Sequence, residues 1–155
     1  MSEHRATIAW KSAATSDDFR KGKYSREHTW TFDGGITVPG SPSPSVVPAP
    51  WSNASYVDPE EAYVASISSC HMLTFLYVAA KAGFVVTSYR DEAVGTLAKT
   101  DQGVAWIDRV TLSPDIGYGG DKLPTAADSE HLHHAAHAGC FIANSVKTEI
   151  VVSPR

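Results

Sequence analysis

The chain has 155 residues, 43% hydrophobic and 19% charged, and 13 Lys+Arg against 17 Asp+Glu give a net charge of −4. That length fits a single domain over residues 1–155 with a sizeable core, and the composition excludes wholesale disorder. Mild acidity argues against a nucleic-acid binder, and two cysteines are too few for a disulfide-stapled scaffold or a four-cysteine zinc module.

In chain order, residues 4–10 and 24–32 are rich in β-branched and aromatic side chains and predict strands. Asp33-Gly34-Gly35 is a turn signal, and residues 36–38 continue a hairpin. Six of the nine prolines fall between Pro39 and Pro59. That segment reads as an irregular loop draped over the fold by Trp51 and Tyr56. Asp58-Pro59-Glu60-Glu61 then starts a helix: Asp58 can cap, Pro59 suits the first helical position, and Glu61 completes an approximate capping box. The helix is expected to run to Ala82, with Gly83 as its stop.

Residues 62–80 of this helix form 19 consecutive uncharged residues, about 28 Å of helix and close to a bilayer span. Ser66, Ser68, Ser69, Cys70, His71 and Thr74 sit in its middle, however, which lipid would penalise. A buried central helix is expected, and no membrane partner. Met1-Ser2-Glu3-His4-Arg5 is charged with no apolar run behind it, so a cytoplasmic location is expected.

Two longer strands follow at residues 84–98 and 104–112, joined by a turn at 101–103. A loop holding Gly117, Gly119, Gly120 and Pro124 leads to a second helix over about 126–146, capped by Thr125 with Asp128 three residues on. Residues 147–152 close the chain as a strand. The predicted order is β-β-β-α-β-β-α-β, an α+β architecture with two central helices against strands.

Each helix carries one cysteine. Cys70 sits in a run of small and hydroxylated residues, which is odd filling for an apolar core but natural around a thiol that a substrate must reach. Cys140 follows Gly139 and precedes Asn144-Ser145, again small and polar. Packed helices could bring the two within disulfide reach, with Cα atoms roughly 4.4–6.8 Å apart. In a reducing cytosol such a pair is redox-active and not structural. A buried cysteine can equally be a small hydrophobe.

These elements together resemble the OsmC/Ohr family of thiol-dependent peroxidases. The resemblance rests on Asp58-Pro59-Glu60-Glu61 before the helix, Ser69-Cys70-His71-Met72, Ala136-His137-Ala138-Gly139-Cys140, Asn144-Ser145 and the closing strand. Asp58 stands where the family more often has Asn, and Phe141 follows Cys140 where Pro is frequent. The resemblance implies an OsmC-like fold, an intertwined homodimer and reduction of organic hydroperoxides, with hydrogen peroxide a further candidate substrate. Cys70 would be the peroxidatic cysteine and Cys140 the resolving one. No cofactor is implied, only an external thiol or dithiol reductant.

A peroxidatic cysteine reacts as its thiolate, and a nearby cation lowers a thiol's pKa from about 8.5. The family takes this cation from an early strand, and Arg26 fits, ahead of Arg20 and Arg5. Glu60 is the expected partner of that arginine through a two-pronged ion pair. Glu60 and Cys70 stand about 15 Å apart along one helix, so a second copy of the chain is expected to complete the site. Met72, Phe75, Trp30, Trp51 and Phe141 are candidate apolar lining.

Two alternatives stay open. His133, His137 and Cys140, at i, i+4 and i+7, would fall within about 60° of one another on a helix, near His131 and His134, and could hold zinc. An OsmC-like module that binds a small ligand around an inert Cys70 is the other.

Overall fold

The computed structural model describes residues 2–155. It is a mixed α+β structure whose contacts fall into two compact units, one ending at Ala62 and the other spanning Tyr63–Arg155.

In the first unit, β1 (Ala6–Ala9), β2 (His28–Phe32) and β3 (Thr37–Gly40) form an antiparallel sheet in the order β1-β2-β3. Both early strands are shorter than predicted, and a helix the sequence reading lacked, α1 (Ser16–Arg20), lies between them. Thr15 starts it by accepting the Asp18 N–H at 3.1 Å. The predicted strand ends go instead into an aromatic cluster, where Phe19 stacks on Tyr24 at 4.5 Å and Trp10 meets Tyr24 edge-on at 5.7 Å. The proline-rich segment is irregular, as expected. Ser41 fastens it, donating its N–H to the Val57 carbonyl at 3.0 Å and accepting the Asn53 N–H on its hydroxyl at 2.8 Å.

The predicted helix start is present. The Asp58 carboxylate accepts the Glu61 N–H at 2.7 Å and the Glu61 carboxylate accepts the Asp58 N–H at 3.2 Å, a reciprocal cap on α2 (Pro59–Lys81). Gly83, at φ +80°, ends α2 in the left-handed region that other residues avoid.

In the second unit the first predicted long strand divides into β4 (Val85–Asp91) and β5 (Val94–Lys99), the second is β6 (Ala105–Leu112), and a further strand, β7 (Pro114–Gly119), stands where a loop was expected. β4 pairs with β7, while β5, β6 and β8 (Glu149–Val152) form a second sheet with β6 and β8 parallel. Asp91 marks the break. Its carboxylate accepts the Ser113 N–H at 2.6 Å and the Ser68 hydroxyl, so a side chain takes donors at the point where both strands change sheets. Of the glycines read as a loop, Gly117 and Gly119 lie in β7, where a Cβ would run into Thr87 or Ser88, and Gly120 follows the strand.

The last helix, α3 (Ala126–Gly139), has the Thr125–Asp128 capping box but ends seven residues earlier than the predicted Val146. Cys140 is already extended, and the Asn144 side-chain amide donates to the carbonyls of Ala138 and Cys140, both at 2.9 Å. A short 3-10 turn over Ala143–Ser145 follows.

The buried row of α2 is Ile67, His71, Phe75 and Ala79, one residue per turn. Its first half packs on the β5-β6-β8 sheet through Ile67, Val110 and Leu112. Its second half packs with Phe84, just before β4, and with Leu132 and Ala136 of α3, against Val86, Tyr89, Ile116 and Tyr118. Gly95 lets α2 cross β5 closely, since a Cβ there would come within 2.6 Å of a Val64 methyl. The expectation of a buried central helix holds for one face only: Leu73 and Tyr77, on another face, are 61% and 63% exposed.

Phe75 is fully buried at the centre of the second cluster. Phe75→Ala is expected to lower unfolding free energy by about 3–5 kcal/mol in urea titrations. A loss under about 1 kcal/mol would mean that the cluster does not hold α2 to α3.

Candidate active site

The two thiols, 70 residues apart, meet. The Cys140 thiol points at the Cys70 sulfur across 2.6 Å, about half an ångström outside covalent S–S distance. Three local features produce this approach. Gly139, the last residue of α3, has no side chain, and a Cβ there would sit 3.1 Å from the Thr74 methyl on α2. Thr74 is itself fixed, its hydroxyl donating to the Cys70 carbonyl at 2.9 Å. The break after Gly139 then turns Cys140 inward, where the Ala143 N–H meets its sulfur at 3.3 Å.

The pair is asymmetric. Cys140 is 1% exposed and Cys70 is half-buried. Burial, and then the hydrogen bond to Cys70, push the Cys140 thiol above its ordinary pKa, with the Ala143 N–H acting weakly in the other direction. The direction of this shift favours the thiol form of Cys140 over its thiolate. Cys70 opens onto a pocket of about 760 Å³ lined by Leu73, Tyr77, Val78, Phe141 and Ile142 among others. Of the residues expected to line the site, Phe141 does so, while Phe75 belongs to the buried core and Met72 is absent from the lining. Trp30 and Trp51 belong to the first unit.

Arg26 and Glu60 also belong to the first unit. The Arg26 guanidinium donates to the Tyr24 carbonyl at 3.1 Å and lies 4.1 Å over the Tyr24 ring. It lines an apolar pocket of about 430 Å³ with Ile8, Trp10, Phe19 and Pro59. Among the described residues, no ion pair joins Arg26 to Glu60 within the chain. Arg5 pairs with Glu3, and Arg20 is exposed at the end of α1.

The histidines are arranged differently from the expected ligand set. Cys140 is off the helix and turned to Cys70, while His131 and His134 are exposed. Among the described residues, no three His, Cys, Asp or Glu side chains converge where a metal ion could sit. His133 instead points into the core, where its Nδ1 meets His71 Nε2 at 3.1 Å with the rings parallel to within 7°. This pair was missed because the histidines were grouped by spacing on α3 alone. The signal was present on α2, where His71 occupies the i+4 row of Ile67 and Phe75.

Burial, with His133 and His137 nearby, holds His71 down to about pKa 4. Burial also lowers His133, against the opposing pull of Asp91.

A family model for OsmC-like protein matches residues 52–155, and the chain belongs to that family. An OsmC-like protein of unknown function from Vibrio cholerae is 50% identical, with each chain covered over 100% of its length and a TM-score of 0.94. An organic hydroperoxide resistance protein from Elizabethkingia anophelis shares the fold at 19% identity, over 99% of this chain and 94% of that one, with a TM-score of 0.72. The organic hydroperoxide resistance protein OhrB of Bacillus subtilis does so at 17% identity and a TM-score of 0.66, over 99% and 98% of the two chains. No curated protein matches the chain.

The depressed His71 pKa has a stability consequence. An exposed imidazole takes up a proton near pH 6.5 and the buried one only near pH 4, so between these values the unfolded chain binds more protons and stability rises with pH, being lost as the solution is acidified. Relative to a non-titrating His71→Gln variant, the protein is expected to lose about 3 kcal/mol on going from pH 7 to pH 4. Urea titrations at both pH values check this, and equal losses in the two proteins would refute it.

Proposed function

We propose that the chain is a thiol-dependent peroxidase that reduces organic hydroperoxides. The observation that carries it is the approach of the Cys140 and Cys70 sulfurs to 2.6 Å, with Cys70 facing an apolar pocket. Cys70 as thiolate attacks the distal peroxide oxygen. The O–O bond breaks, the alkoxide leaves and takes a proton as the alcohol, and Cys70 becomes a sulfenic acid. Cys140 then attacks the Cys70 sulfur and water leaves, giving the Cys70–Cys140 disulfide. An external dithiol reduces it in two exchange steps, leaving as its own disulfide. The cycle needs thiols kept reduced between turnovers, which suits a cytoplasmic setting.

The apolar lining favours alkyl and aryl hydroperoxides over hydrogen peroxide, whose small polar body gains nothing from Leu73, Tyr77 or Phe141. Arg26, oriented by Glu60, is the proposed cation for the Cys70 thiolate. Both are proposed to act in a homodimer in which a second copy completes the site. Two observations support association: Leu73, Tyr77 and Phe141 are exposed beside Cys70, and Ile8, Trp10 and Phe19 are exposed in the first unit.

With cumene hydroperoxide the reduced protein is expected to lose two thiols rapidly as an internal disulfide. Cys70→Ser should abolish the loss, and Cys140→Ser should allow one turnover ending at a sulfenic acid. Slow, unselective oxidation of both cysteines would reject the proposal. Light scattering should give twice the chain mass, and a monomer that retains full activity would reject the shared site.

A further inference from the structure

The thiol chemistry uses neither buried imidazole, yet the imidazoles join the two helices that hold the sulfurs. His71 directly follows Cys70 on α2, and His133 lies on α3 seven residues before Cys140, the residue that follows the helix end. His71 is 1% exposed and His133 5%. The Phe75 ring covers His133 at 4.5 Å between centroids. Neighbouring apolar groups could fill this space without the cost of burying two polar rings. What the pair adds over an apolar contact is direction, because an N–H···N bond fixes both the separation and the rotation of the two helices.

We propose that the His71–His133 pair is a positioning clamp for the thiol site: it holds α2 against α3 so that the Cys140 sulfur stays within reach of Cys70, and it loosens when the pair is protonated. The inference rests on the thiol-pair reading above, though not on peroxide as the oxidant. Two neutral imidazoles need one proton between the facing nitrogens. One further proton puts a charge beside Phe75, and a second leaves two N–H groups facing each other. The surrounding groups offer little relief. On α3, His137 adds like charge when protonated. On β4, Asp91 attracts a proton to His133, but its carboxylate already accepts from Ser68 and Ser113. Tyr89 and Tyr118, on β4 and β7, are neutral phenols pushed further up by burial. Acid therefore acts on the contact that places the sulfurs, and the second thiol step should report it.

The test uses 4,4′-dithiodipyridine, which reacts down to acid pH and needs no peroxide. The Cys70 thiolate attacks it, forming a mixed disulfide and releasing one thiopyridone. Cys140 then displaces the second thiopyridone and forms the internal disulfide. His71→Gln can present a nitrogen near the Nε2 position without titrating, and His71→Leu cannot. At pH 7 the second release is expected to be slower in His71→Leu and restored in His71→Gln. Between pH 7 and pH 3, about one unit below the pH at which the buried His71 takes up its proton, the ratio of the wild-type to the His71→Gln second-step rate is expected to fall by about tenfold, the effect of some 1.4 kcal/mol. A constant ratio overturns the clamp, whatever His71→Leu does, including failure to fold. Because no peroxide is present, a protein that passes this test and leaves cumene hydroperoxide untouched would refute the peroxidase proposal alone.

Discussion

The close approach of the end of α3 to α2 is the constraint on which the rest of the second unit depends. Ordinary helix contacts keep axes 8–10 Å apart according to the side chains between them. Here a glycine stands at the contact, and the space a Cβ would need is held by the Thr74 methyl. The same turn of α2 carries Cys70, whose carbonyl takes the Thr74 hydroxyl, and the next residue after Gly139 is Cys140. Backbone proximity and sulfur proximity are thus one fact. A side chain at 139 would press on the Thr74 methyl, on the turn of α2 that carries Cys70.

Around that contact the unit has two apolar clusters, one under each half of α2. His71 falls in the row between Ile67 and Phe75, at the seam between the clusters. Dispersion contacts on either side are strong in total but tolerant of sliding, since hydrophobic packing has little directionality. The imidazole pair and the Asp91 carboxylate are directional. Asp91 ties Ser68 of α2 to the start of the β6–β7 bend through Ser113. The polar groups at the seam thereby set the register that the apolar clusters stabilise, at the desolvation cost that buried polar groups carry.

Much of this was legible in sequence. Asp58 with Glu61 and Thr125 with Asp128 are local signals whose partners lie three residues away, so the helix starts could be read directly. Gly83 was equally local. The thiol pair was legible because small residues flank both cysteines on elements able to pack. The end of α3 was not, since it depends on the Asn144 amide reaching back to two carbonyls. The splitting of the first long strand was not either, because Asp91 does its work with Ser113, twenty-two residues on. Glycines in β7 read as a loop because the side chains of Thr87 and Ser88, which need that space, come from another strand. The histidines were misgrouped for the same reason: spacing on one helix says which residues share a face, not what the opposing helix presents.

The composition of α2 now has a physical explanation. By length and hydropathy it could cross a membrane, yet its apolar residues serve two separate surfaces. The row Ile67, Phe75 and Ala79 is spent inside the unit, while Leu73 and Tyr77 stand exposed beside Cys70 and join Phe141, itself 84% exposed. A helix that only had to be a core element would place polar residues on that outer face, as amphipathic helices do. Ser66 and Ser69 are polar there, and they lie on the Cys70 side of the pocket, with Leu73 and Tyr77 toward the C-terminal end of α2. The outer face therefore grades from hydroxyl-rich to apolar across the thiol. Under the chemistry proposed above, that gradient would suit a substrate with a polar reacting end and an apolar body.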